Sequence, residues 1–158
     1  MNERNQMMTI KAITFASILL AATAIGAFAH SGAKGVVMER MELMKSIQGH
    51  MKTVGEMIQG KRAFKAADAK SAAENVAQHA DELPHKFPEG TVDHPSEALP
   101  SIWQDWERFV SIADEMKIRA LALADAAEIS SDASGLRPAF TAVGKTCSAC
   151  HEDFRKTN

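Results

Sequence analysis

The chain has 158 residues, 18 Lys and Arg against 20 Asp and Glu, and a formal charge of −2. That mildly acidic balance argues against a nucleic-acid partner. The absence of tyrosine, the nine methionines and the many alanines lean the composition towards helix.

Residues 1–11 carry Arg4 and Lys11 with Glu3 as their only acid, and residues 12–27 (AITFASILLAATAIGA) are apolar and uncharged. Ala27-Phe28-Ala29 then fits the small-x-small cleavage pattern of a secretory leader. Sixteen apolar residues fall short of the ~20 needed to span a bilayer. The expectation is a signal peptide over 1–29, cleaved to leave one domain over 30–158 that starts at His30. That domain has no second hydrophobic run, so the mature protein is expected not to span a membrane. Its formal charge is −3, because two bases and one acid leave with the leader.

Four stretches of helical periodicity follow. The first, about 33–59, places Val37, Met41, Met44, Ile47, Met51, Val54 and Ile58 three or four apart, with Gly60 as its stop. The second, about 64–83, carries Ala69, Ala73, Val76, Ala80 and Leu83, small enough for close helix approach. Pro84 and Pro88 are expected to end it. Residues 84–100 hold four of the five prolines and read as a loop. The third stripe runs Ile102, Trp106, Phe109, Ala113, Met116, Ala120, Leu123, Ala127. The fourth runs Leu136, Phe140, Val143, Cys147, Cys150, Phe154, with Pro138 where a first helical turn tolerates it. Four such helices predict an all-α antiparallel four-helix bundle.

Residues 147–151 read Cys-Ser-Ala-Cys-His and contain both cysteines of the chain. Cys-x-x-Cys-His is the attachment signature of a c-type haem. Each thiol adds across one vinyl group to make a thioether, and the histidine supplies an axial nitrogen to iron. On a helix the three side chains lie at i, i+3 and i+4 and leave from one face. The competing readings are weaker. A redox dithiol belongs beside a βαβ pattern, and there is no strand pattern here. Structural zinc needs four ligands, and His30, His50, His79, His85 and His94 show no paired spacing. A Cys147–Cys150 disulfide would close a short, strained loop. The expectation is one haem c held by Cys147 and Cys150, with His151 on the iron, inside the bundle. Covalent haem outside the cytoplasm fits a bacterial periplasm.

The motif in the last of four helices resembles the class II c-type cytochromes, the cytochrome c′ family. So do Arg155 four residues after His151, Ile102-Trp103 after the proline-rich loop, and Arg40-Met41-Glu42-Leu43-Met44-Lys45 in the first helix. The resemblance covers essentially the whole mature chain. It implies that Arg40 lies near the haem propionates, where opposite charge makes contact sensible. It also implies that Met44, four residues on, faces the distal side of the haem. In the low-spin subgroup that position is a ligating methionine; in high-spin members it is a bulky non-ligating residue. The expectation is a low-spin His151/Met44 electron-transfer protein that is not an enzyme and meets redox partner proteins. The alternative is a five-coordinate, high-spin protein binding nitric oxide or carbon monoxide. Methionine's usual work is core filling, so all five in the first helix could be packing. His50 alone among the other histidines sits on the helix expected to cross the distal face. Trp103 and Trp106 read as packing residues. A peroxidase is disfavoured because the first seam offers only Met, Val and Ile. Monomer and homodimer both stay open.

Overall fold

The computed structural model describes residues 33–92 and 94–157. The expected leader over 1–29 and the mature start at His30 lie outside them. The first helix, α1 (Gly35–Ile58), ends where predicted. Gly60 has φ 71°, and its N–H reaches Met57 O at 3.1 Å while Gln59 N–H reaches Gly55 O at 3.0 Å. A left-handed residue at that point turns the chain out of the helix at no steric cost to glycine.

The second helix, α2 (Ala66–Glu82), buries Ala69, Ala73, Val76 and Ala80 almost completely. Pro84 does not simply break it. Leu83–Lys86 continues as a 3₁₀ turn with Pro84 in its first positions, where the missing N–H would have had no helical partner. The third stretch is two helices, α3 (Ser101–Gln104) and α4 (Trp106–Ile129). Asp105, at φ −131° and ψ 56°, separates them. Ile102 therefore fills the core from α3 at 1 % exposure, whereas Trp106 stays 37 % exposed and drops out of the predicted stripe. A 3₁₀ turn over Ala133–Leu136 leads into α5 (Arg137–Phe154), and Leu136 is already buried there.

The helices form a four-helix bundle in which α1 packs on α2, α2 on α4, and α4 on α5, with α5 meeting α1 more thinly. Buried alanines line both α2 and α4, and these two helices share the most extensive contact of the bundle. Phe109, Leu123, Leu136 and Val143 are fully enclosed, each stabilising the fold by roughly 1.5–3 kcal/mol. An aromatic cluster closes one end of the core. Phe109 meets Phe87 edge-on at 4.9 Å, Phe154 edge-on at 5.5 Å and Trp106 in a stack at 5.4 Å. Trp103 packs from α3 and donates its indole N–H to Phe87 O at 2.9 Å.

The α1 seam is rotated from the predicted one. Arg40, Leu43, Ile47, Val54 and Met57 are buried, while Met41, Met44 and Met51 are half-buried on the flank that turns towards α5. His50 points the other way. Its ring lies 5.8 Å from that of His79 on α2. The physical reason is spacing: a 3–4 pattern of methionines defines one edge of a wide apolar face, and the helix centres that face on Leu43 and Ile47 instead.

Candidate haem site

Two contacts fix the register of α1 against α5. Arg137 Nη2 donates to Ile58 O at 2.9 Å, and a Cβ added to Gly55 would stand 3.2 Å from Phe140 Cζ. Residues 58 and 55 thus sit level with 137 and 140. Three- and four-residue steps back from Gly55 along the same face reach Met51, Met44 and then Arg40. The matching steps on α5 from Phe140 reach Gly144, Cys147 and His151. Met44 and His151 each lie eleven residues from the Gly55–Phe140 crossing, about 16 Å away at 1.5 Å per residue. The antiparallel register therefore puts them at the same height.

Cys147 and Cys150 are half-buried free thiols packed against the apolar core. Burial pushes both thiol pKa values up. Cys150 reaches about 11, helped by Cys147 and Asp153. They also occupy the last two turns of α5, where the negative end of the helix dipole disfavours a thiolate. A redox dithiol has the opposite electrostatics, so the pair is suited to attachment and not to exchange chemistry. No group of three metal-binding side chains occurs among the described residues.

His151 is exposed as a residue, yet partial desolvation of its ring and the charge of Arg155 lower its pKa against the opposing pull of Glu97. The neutral imidazole that results is the form able to ligate iron. Arg155 does not stand free against this ring; its Nε donates to Glu97 Oε2 at 2.7 Å. The turn is held from outside as well. Leu99 N–H donates to Phe154 O at 3.0 Å, Lys156 N–H to Glu97 O at 2.8 Å, and Ala98 pairs with Arg155 as an antiparallel bridge. Ser101 Oγ donates to Asp153 O at 3.0 Å, and Arg108 Nε donates to Asp153 Oδ2 at 2.8 Å.

Arg40 is 5 % exposed. Its Nη2 donates to Thr91 O at 2.7 Å, its Cζ lies 4.6 Å from the centroid of the Phe87 ring, and burial lowers its pKa. Nη1 is buried without a hydrogen-bond partner among the described residues. A buried guanidinium N–H left open calls for an anion. Sequence reasoning found Arg40 but missed Phe87 and Thr91, which hold it, and Gly144, where an added Cβ would meet nothing within 4 Å. A glycine inside an otherwise helical pattern was a readable signal for Gly144; nothing local marks Thr91.

A single helix face presenting two apolar, protonated thiols and a neutral imidazole, in a bundle whose first helix offers an unpaired cation, fits a covalently held porphyrin carrying iron and carboxylates. Those features define a c-type cytochrome of the four-helix class. The sequence profile described as Cytochrome C' matches residues 35–155. Cytochrome c-556 from Agrobacterium fabrum is 31 % identical over 94 % of this chain and 97 % of its own length. The structure of cytochrome c prime from Shewanella frigidimarina is 34 % identical over 77 % of this chain and 94 % of that one, with a TM-score of 0.70. A nitric oxide complex of a variant cytochrome c prime from Alcaligenes xylosoxidans is 27 % identical over 77 % and 94 % of the two chains, with a TM-score of 0.68. The chain belongs to the cytochrome c′ family, and is a monohaem c-type cytochrome carrying one haem c on its Cys-x-x-Cys-His motif. Proteins of this family transfer electrons or bind gases, and are periplasmic in general. No helix among the described residues is long and apolar enough to cross a membrane.

Proposed function

We propose that Cys147 and Cys150 carry the haem through two thioethers, that His151 is the axial ligand, and that the opposite face is kept open for a diatomic gas such as nitric oxide or carbon monoxide. When bound, the haem supplies a one-electron couple and a coordination position for that gas. The observation that carries this reading is the likeness to cytochrome c prime structures, one of them a nitric oxide complex. Met44 stands level with His151, and its side chain is half-buried beside the apolar core, where methionine ordinarily serves as filler. Ile47 and Met51 on the same stretch carry no charge and no hydrogen-bonding N–H or O–H, so the surroundings of Met44 lack the polar groups that O–O cleavage needs. Arg40, one turn away on the same face, receives a haem carboxylate on its unpaired Nη1. The haem on α5 is reached by redox partner proteins in the periplasm, after removal of the leader over 1–29.

The shared height of Met44 and His151 favours a second reading, in which the Met44 sulfur is the sixth ligand and the protein is a low-spin electron carrier. A soft thioether would raise the reduction potential. One optical experiment separates the two. An open site gives a high-spin spectrum and fast carbon monoxide binding, and Met44→Ala leaves both nearly unchanged. Sharp α and β bands, a near-infrared sulfur-to-iron band and slow carbon monoxide binding, all abolished by Met44→Ala, would overturn the open-site reading in favour of the second.

A further inference from the structure

Phe87 sits in the proline-rich segment, 47 positions after Arg40 and outside every helix of the bundle. It is nevertheless 8 % exposed and fixed on three sides. Its ring meets Phe109 edge-on at 4.9 Å, its carbonyl accepts the Trp103 indole N–H at 2.9 Å, and its N–H reaches Pro84 O at 3.2 Å. On one π-face of that ring lies the Arg40 guanidinium, 4.6 Å from the centroid. The same segment supplies the Thr91 carbonyl that takes Nη2. Ring and carbonyl together leave the fork little freedom, and Nη1 is the atom left without a protein partner.

We propose that Phe87 is a positioning residue: it acts through Arg40, holding the guanidinium where it offers Nη1 to a haem carboxylate and so sets how easily the haem is reduced. The inference rests on the reading that Arg40 receives such a carboxylate. A cation over an aromatic face is attracted to its quadrupole, most strongly when desolvated, and Arg40 is buried. A long side chain at a helix flank has several rotamers, and the ring selects one. A guanidinium kept beside the carboxylate offsets its negative charge, which otherwise favours ferric iron.

The test is spectroelectrochemical titration of the holoprotein and of single and double variants. Phe87→Leu fills the slot without a π-face, and Phe87→Met serves if the leucine variant fails to fold. Phe87→Trp keeps a ring. Arg40→Gln removes the cation. The equilibrium constant for reduction should fall about threefold or more in Phe87→Leu and in Arg40→Gln, and stay within about twofold of the parent in Phe87→Trp. In the double variant, Phe87→Leu should add nothing to Arg40→Gln, since a residue acting through another is silent in its absence. Merely structural roles would lower the melting temperature and leave the potential where it was. If Arg40→Gln shifts the potential and Phe87→Leu does not, or if their effects add in full, the role of Phe87 is overturned while that of Arg40 stands. If Arg40→Gln itself leaves the potential unmoved, the carboxylate reading falls and the inference with it.

Discussion

Replacing Phe109 with leucine tests how much of the fold depends on the aromatic cluster below the haem motif. Phe109 is 2 % exposed and touches three rings, at 4.9, 5.4 and 5.5 Å. Leucine keeps most of the apolar burial and removes the ring–ring geometry. Such pairs contribute ~0.5–1.5 kcal/mol each beyond area, so three would give between roughly 1.5 and 4.5 kcal/mol. The stack on Trp106 is discounted, because that indole is 37 % exposed. A loss of about 2 kcal/mol is therefore expected. For a domain of this size, that corresponds to a fall of roughly 6–10 °C in melting temperature. Denaturant unfolding of the holoprotein, followed by far-ultraviolet circular dichroism, gives the free energy; near-ultraviolet dichroism, compared with that of a Trp103→Phe background, reports Trp106. The haem spectrum should keep its shape. A loss below about 0.5 kcal/mol, or an unchanged tryptophan signal, would show that the ring contacts are incidental and the cluster is held by burial alone.

Gly55→Val should destabilise by roughly 2–3 kcal/mol in denaturant melts because its side chain meets the Phe140 ring, whereas Gly55→Ala should be nearly neutral, the gain in helix propensity offsetting a tight contact. Burial and the neighbouring His79 hold the pKa of His50 below its ordinary value. The fold therefore disfavours a proton that the unfolded chain accepts: stability is intact above pH ~6.5 and declines as pH falls from there towards the folded pKa. Urea melts across that window should be less acid-sensitive in His50→Gln than in the parent, with His79 and its partners Ser46 and Glu82 left in place. Parallel profiles would rule this out. Acid–acetone should leave haem on the polypeptide, and mass spectrometry of Cys147→Ala should find one thioether; complete extraction from the parent would contradict the attachment chemistry.

The motif and the four helices were readable because each is a local property: fixed spacing in Cys147–His151, and three-four periodicity elsewhere. What periodicity missed depends on distant partners. Arg40 lies outside the apolar stripe, and its burial is specified by Thr91, fifty-one positions away, and by the Phe87 ring. Trp106 fits its stripe by number, but the backbone at Asp105 restarts the helix and turns the indole outward. The α1 methionines satisfy the pattern of a core seam while occupying its edge. The helix centres its buried face on Leu43 and Ile47, with Ser46 and His50 turned to His79 on α2, an orientation invisible to a count of apolar residues. Pro84 was weighed as a helix breaker, whereas a 3₁₀ turn uses it as an opening residue.

The pairing of residues 96–99 with 154–156 gives the end of α5 an uncommon status. The last turn of a helix is ordinarily where amides open first and hydrogen exchange begins. Here the Phe154 carbonyl, the Lys156 amide and the Arg155 side chain are each engaged by a segment nearly sixty positions earlier. Opening that turn requires releasing the loop, the Asp153 contacts of Ser101 and Arg108, and Phe154 from the aromatic cluster in a single event. The Leu99 and Lys156 amides should consequently exchange with the slow class of the bundle interior, and the turn bearing His151 would then fluctuate with the whole domain instead of fraying on its own.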